Sequence, residues 1–214
     1  MSAAGLELDG VSLAIAGRTL LGPLDVTVPP GGQVTLMGPS GCGKSSLLAF
    51  VAGTLDAAFA TRGDVRVGGA SVLALPPERR RVGILFQDDL LFPHLSVGDN
   101  LAFALPAALR DRGARRDAVA QALAEADLAG FAARDPATLS GGQRARVAVM
   151  RTLLAAPRAL LLDEPFNKLD AQLRQDFRRF VFDHARERSL PVLLVTHDAA
   201  DADAAGGPIV VLGA

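Results

Sequence analysis

Gln33-Val34-Thr35-Leu36-Met37 runs directly into Gly38-Pro39-Ser40-Gly41-Cys42-Gly43-Lys44-Ser45. The first five residues are a short apolar run that stops at a glycine, which reads as a strand buried on both faces. The next eight follow the phosphate-loop spacing: Gly38, four residues, then Gly43-Lys44-Ser45. Glycines let the backbone wrap a phosphate with successive N–H groups turned inward. Lys44 to Gly53 reads as a helix, whose N-terminal end adds partial positive charge. Lys44 supplies a point charge, and the Ser45 hydroxyl can bind Mg²⁺. The nucleotide-binding set is Gly38, Pro39, Ser40, Gly41, Cys42, Gly43, Lys44, Ser45 and Ser46. The alternative is a glycine-rich turn with an incidental lysine, which the strand–loop–helix setting disfavours. Cys42 is read as a spacer, with a redox switch as the alternative.

Leu160-Leu161-Leu162-Asp163-Glu164-Pro165 is a second apolar run, and it ends in two carboxylates. In a parallel sheet, ligands sit at the carboxyl ends of strands. Asp163 is therefore expected beside the phosphate loop, holding Mg²⁺ directly or through water. Glu164 is placed to orient and deprotonate an attacking water. His197 follows a third such run, Leu194-Val195-Thr196; taken alone it reads as a surface histidine. His94 and His184 have no comparable setting.

Working outward, residues 6–15 and 24–28 alternate and read as strands of an N-terminal β layer. Val82 to Phe86, Ala159 to Leu162, Val192 to Thr196 and Ile209 to Leu212 are further buried strands. A helix is expected over Leu169–Val181, where the apolar positions step by three and four. Strands alternating with helices predict a parallel α/β core. Residues 88–156 break that rhythm and read as an inserted helical lobe, clearest at Ala118 to Ala126. The 214 residues thus read as one domain carrying that lobe. Net charge is −1, giving no electrostatic reason to expect nucleic acid. A single cysteine excludes an intrachain disulfide and suits a reducing compartment. No signal-peptide start or membrane-length apolar run is apparent, so any membrane role is expected to be by docking.

Leu139-Ser140-Gly141-Gly142-Gln143 precedes a helical stretch from Arg144 to Leu154. Ser140 is a good N-cap, and the glycines expose backbone N–H groups. This pentapeptide resembles the signature motif of ABC-type ATPases. In order along the chain, Gly38–Ser45 resembles Walker A, Gln87 the Q-loop glutamine, Leu160–Glu164 Walker B, Asn167–Asp170 the D-loop and His197 the switch histidine. The resemblance implies a P-loop cassette: parallel α/β core, antiparallel β layer and helical lobe. It implies hydrolysis of ATP with Mg²⁺ held by Ser45, Gln87 and Asp163. Glu164 is then the base, and His197 steadies the γ-phosphate and water. It further implies that Ser140, Gly141, Gly142 and Gln143 contact nucleotide bound by a second copy or a similar cassette.

The stretch Phe86–Val97 and the run Asp163-Glu164-Pro165-Phe166 are similar to importer ATPases for polyamines, thiamine, sulfate, molybdate or iron. The implied partners are transmembrane permease subunits, touched through the apolar segment around Gln87, and indirectly a substrate-binding protein. The implied location is cytoplasmic, on the inner face of the membrane. A soluble cassette of the repair or translation type is the alternative. The chain ends soon after His197, which reads as lacking the C-terminal regulatory domain of some importer subunits.

Two departures from the resembled pattern stand out. Asn167-Lys168 precedes Leu169-Asp170 where small residues are usual. The family also stacks adenine on an aromatic residue near the position of Ile15 or Ala16, yet the chain has no Tyr or Trp and its first Phe is Phe50. The N-terminal layer is therefore expected to offer no aromatic. Ile15 and Arg18 would cover the base, with weak nucleotide affinity and poor discrimination between ATP and GTP.

Overall fold

The computed structural model describes residues 5–213. In chain order the elements are β1 (Leu6–Ile15), β2 (Arg18–Val28), β3 (Gln33–Met37), α1 (Lys44–Ala52), β4 (Phe59–Val67), β5 (Ala70–Ser71), α2 (Pro77–Arg80) and β6 (Val82–Leu85). There follow α3 (Val97–Ala104), α4 (Arg112–Glu125), a 3-10 turn (Pro136–Thr138), α5 (Gly141–Leu154), β7 (Ala159–Asp163), α6 (Ala171–Glu187), β8 (Val192–Val195), α7 (Ala199–Ala205) and β9 (Ile209–Val211). The chain divides into two compact units. The first comprises residues up to 84, 158–164 and from 178 onward; the second comprises 85–157 and 165–177. No helix among the described residues is long and apolar enough to cross a membrane.

In the first unit, five strands form a sheet in the order β6-β7-β8-β3-β9. β3 pairs in parallel with β8 and β9, and β7 pairs in parallel with β8. Every residue of β8 is buried, as are all of β3 and β7 but their last. Their uninterrupted apolar runs follow from that, since a strand covered on both faces has no solvent side to alternate toward. Register matters more here than composition. Leu36 and Asp163 both stand level with Val195, so three strands finish in one row.

The same unit carries an antiparallel sheet in the order β2-β1-β4-β5. β1 alternates: Leu6, Leu8, Val11 and Leu13 are buried while Glu7 and Asp9 are less so. The shift of phase between Leu8 and Val11 is a bulge, and Gly10 takes it up at φ 57. The layer is larger than its sequence suggests. β2 runs from Arg18 rather than Leu24, and β4 and β5 were not anticipated at all. β4 opens Phe59-Ala60-Thr61-Arg62-Gly63 with residues 60–63 all exposed, so no period-two burial signal exists there.

The second unit is mostly helical, with side chains closing helix starts: Ser96 for α3, Asp111 for α4, Asp135 for the 3-10 turn and Ser140 for α5. Asn100 is wholly buried and binds the preceding loop, donating to the carbonyls of Phe92, Leu95 and Ser96 and accepting from the Phe92 N–H. α6 begins two residues later than the Leu169 expected, because Asp170 accepts from the Leu173 N–H at 3.0 Å and so stays outside the helix as a cap.

Arg80 is the buried cation that holds the far end of α1. Its guanidinium donates to the carbonyls of Phe50 at 2.7 Å, Val51 at 3.0 Å, Leu75 at 3.0 Å and Leu73 at 3.2 Å. The first two are last-turn carbonyls that a helix end leaves without intrahelical partners. Burial lowers the Arg80 pKa from its ordinary value. Gly53 must be glycine beside it: its φ is 83, and a Cβ there would fall 2.5 Å from Arg80 Nε. Arg80→Met takes a donor from all four carbonyls, of which Phe50 keeps the Gly53 N–H at 3.1 Å, at a cost of about 3 kcal/mol. At roughly 2–4 °C per kcal/mol for this size, the melting temperature falls by about 6–12 °C. Arg80→Lys, which cannot fork to four acceptors, recovers only part. Circular-dichroism melts check this, and an unchanged melt for Arg80→Met would show that the clamp does not matter.

Candidate functional site

α1 starts where β3 stops, and the turn between them is the phosphate loop. Gly43 sits at its end with φ 94, a left-handed conformation that lets the helix begin directly at Lys44. Gly38 is fixed by crowding, since a Cβ there would lie 2.7 Å from the Leu212 carbonyl oxygen. The Lys44 side chain is 7% exposed. Its Nζ donates to the Gly38 and Pro39 carbonyls, each at 2.8 Å, and makes only a long contact of 3.9 Å with Cys42 Sγ, which a phosphate oxygen would outcompete. A cavity of about 250 Å³ opens over the loop. Ser40, Gly41, Gly43, Lys44, Ser45 and Ser46 line it, with Glu164 on one side and Leu20 of β2 on another. Gly38, Pro39 and Cys42 support the loop from outside that lining.

The row of strand ends delivers the acidic pair. Asp163 Oδ1 accepts from the Ser45 hydroxyl at 3.1 Å. Burial raises the Asp163 pKa; the Ser45 hydrogen bond opposes this, the Glu164 charge adds to it, and Lys44 opposes it. A carboxylate held up by burial gains from a cation. The two oxygens also suit one: two Mg²⁺–oxygen bonds of about 2.0–2.1 Å at a right angle put their oxygens about 2.9 Å apart. No group of three or more His, Cys, Asp and Glu side chains suited to a metal occurs among the described residues.

β7 stops at Asp163, and Glu164 turns out of it at φ 49, a region that non-glycine residues rarely adopt. Its N–H still bonds the Val195 carbonyl at 3.0 Å, so the turn is pinned. His197 lies just past β8, with Nδ1 3.2 Å from Glu164 Oε1. An imidazole proton on Nδ1 donates to that carboxylate. The arrangement can bind a polyphosphate, hold a divalent cation and present a carboxylate with a histidine beside it.

In the second unit, Ser140 and Gln143 form a reciprocal cap: Ser140 Oγ accepts from the Gln143 N–H at 3.3 Å, and the Ser140 N–H donates to Gln143 Oε1 at 2.9 Å. Gly141 faces outward, with nothing nearer than Arg144 at 4.0 Å to where its Cβ would be, whereas Gly142 packs on Leu173. Gln87 belongs to this unit too, as do Asp88 and Lys168, which are ion-paired.

The expectation of an antiparallel layer without an aromatic is overturned. β4 belongs to the layer, and its first residue, Phe59, stands directly opposite Ile15. On the other side Ile15 pairs with Arg18. Residues opposite one another in an antiparallel pair share a face. The β1–β2 ladder also skips Leu20, between Leu21↔Leu13 and Thr19↔Ala14, and this extra residue reaches Gly43 and the cavity. Cross-strand pairing, invisible along the chain, is the signal that identifies Phe59.

These features define a phosphate-loop nucleotide-binding protein with acidic and histidine residues at adjacent strand ends. The family model described as "ABC transporter" matches residues 21–167. The chain is 52% identical over 199 residues to the uncharacterized ABC transporter ATP-binding protein YnjD of Escherichia coli K12, covering 93% of this chain and 91% of that one. It is 41% identical over 199 residues to the putative 2-aminoethylphosphonate import ATP-binding protein PhnT of Salmonella typhimurium, covering 92% of this chain and 53% of that protein. It is 43% identical over 214 residues to the Fe(3+) ions import ATP-binding protein FbpC 3 of Rhodococcus jostii, covering 98% of this chain and 60% of that protein. It thus spans little more than half the length of the latter two. Among solved structures, the ATP-binding cassette MJ0796, a post-hydrolysis dimer bound to ADP and Pi, matches at TM-score 0.80 and 28% identity, over 97% of this chain and 94% of that one. The chain belongs to the ABC transporter family.

Proposed function

We propose that this chain is the ATP-hydrolysing subunit of an importer, working as a pair and driving a separate permease. The observation that carries the reading is the cluster at the strand ends: Lys44 in the loop, Ser45 on Asp163, and Glu164 beside His197. Lys44 and the loop amides hold the β- and γ-phosphates. Ser45 and Asp163 would hold Mg²⁺, which would neutralise charge on those phosphates. Glu164 accepts the proton of the attacking water, and His197 steadies that water and the γ-phosphate. A soluble cassette without a permease is disfavoured by the import names of PhnT and FbpC 3.

The dimer reading draws on the outward Gly141 and on the paired state of MJ0796. Ser140, Gly141, Gly142 and Gln143 meet the nucleotide of the other subunit, as a capped helix start suits a phosphate. Residues 1–214 act as one cassette, with 88–156 as its helical lobe. The permease contact is the apolar surface around Gln87, where Phe86, Leu90 and Phe103 are 44%, 55% and 69% exposed. A groove for a permease segment suits this chemistry, and on this reading the subunit works at the cytoplasmic face of the membrane.

The base of the nucleotide leaves the cavity past Leu20 and meets the row Arg18, Ile15 and Phe59. Phe59 replaces the aromatic that the first strand lacks. Base–aromatic stacking is worth about 1–3 kcal/mol, so Phe59→Ala weakens ATP binding by roughly 5- to 150-fold and leaves tripolyphosphate binding unchanged. Phe59→Trp creates the sole indole in a chain without Trp or Tyr, and ATP quenches it where tripolyphosphate does not. Equal effects of the two ligands would remove Phe59 from the site.

Glu164→Gln tests the reaction itself. The variant binds ATP normally, hydrolyses it roughly 10²–10⁴-fold more slowly, and accumulates as an ATP-bound dimer on size exclusion. Hydrolysis near the wild-type rate would refute the assignment of the base.

A further inference from the structure

His197 is exposed, its side chain at 63%, on the short loop between β8 and α7. Its own surroundings do not explain why it stays 3.2 Å from Glu164. The residues on either side of it do. Thr196 is fully buried. Its N–H donates to the Leu36 carbonyl at 3.3 Å, which ties the loop to β3. Its hydroxyl donates to Asp201 Oδ2 at 2.8 Å and accepts the Asp198 N–H at 3.1 Å. Asp201, in the first turn of α7, has no exposed surface. Its Oδ1 takes Arg178 Nε of α6 at 2.6 Å and a second contact from Nη2. Arg178 Nη2 also lies 3.6 Å from Asp198 Oδ2. Both chain neighbours of His197 therefore end on one buried ion pair.

A buried ion pair adds little net stability over a well-packed apolar replacement, but removing one partner is severe. This pair is sited where it fixes a path of backbone. We propose that Arg178, Asp201 and Thr196 are positioning residues for hydrolysis, setting the course of residues 196–198 and through it the His197–Glu164 separation. None of the three lines the cavity over the phosphate loop. The claim rests on the roles given above to Glu164 and His197, and sequence reading could not reach it, since Arg178 and Asp201 lie on different helices and match no motif.

Thr196→Val is the direct test, because valine keeps the shape and deletes the hydroxyl link. Misplacement of a reacting group by about 1 Å can cost 10²-fold, so kcat for ATP falls by roughly 10- to 100-fold. KM changes by less than about twofold, since the phosphate loop is untouched. Thr196→Ser restores kcat. The chain has three histidines, so the His197 ring resonances can be assigned by NMR. They respond to Glu164→Gln in the wild type and cease to respond in the Thr196→Val background. An undiminished kcat in folded Thr196→Val overturns the proposal, as does a loss that serine does not restore. Should Thr196→Val not fold, Arg178→Lys takes its place under the same kcat, KM and NMR criteria, because it keeps the charge and gives up the two-pronged grip. His197→Ala separates the two levels. Full turnover in that variant defeats the reading of His197 itself, whereas lost turnover there with normal turnover in Thr196→Val defeats only the positioning claim.

Discussion

Three strands of the parallel sheet, β3, β7 and β8, stop in one row, and the chemistry of the chain depends on that register. The residues that leave the row are those proposed to work on nucleotide: the glycine loop after β3, Asp163 and Glu164 at β7, and His197 just past β8. A backbone hydrogen bond crosses the row just beyond the paired residues: the Glu164 N–H to Val195 and the Thr196 N–H to Leu36. Slipping any strand by one residue would turn its side chains to the other face and carry its carboxylate or histidine away. The fully apolar interior of these strands is what makes slippage costly.

Around that row the protein accepts electrostatic and conformational costs. Lys44 is nearly buried, Asp163 is held above its ordinary pKa, and Glu164 occupies a left-handed backbone conformation. Each is unfavourable by itself. A polyphosphate with a divalent cation relieves the first two, since it adds negative charge beside the ammonium and positive charge beside the carboxylate. Burial that would be a defect in a structural core is here a preference for ligand. Arg80 and the Arg178–Asp201 pair belong to the supporting frame: one holds the distal end of the loop's helix, the other the loop that carries His197.

Much of this was legible along the chain, for specific reasons. Strands buried on both faces announce themselves as unbroken apolar runs, so Gln33–Met37 and the run into Asp163 could be read directly. The phosphate loop is legible because its glycines are demanded by backbone geometry at Gly38 and Gly43. Ser140 was legible as a cap because capping is local. What failed was non-local. β4 hides behind four exposed residues, so the chain's pattern gives no sign that the antiparallel layer holds an aromatic, though Phe59 faces Ile15 across the ladder. The helix expected from Leu169 starts later because one aspartate side chain captures an N–H. The ion pair beneath His197 joins residues 23 apart, and no period or motif encodes it.

In the proposed pair, one working site needs the phosphate loop of one subunit and the signature helix start of another. Mixing Lys44→Ala subunits with Ser140→Arg subunits tests it, with ATP hydrolysis as the readout and each variant inactive alone. Mixed dimers then hold one site with both defects and one with neither, and hydrolysis is expected to return. Absence of recovery, with mixed dimers shown to form, would contradict a shared site.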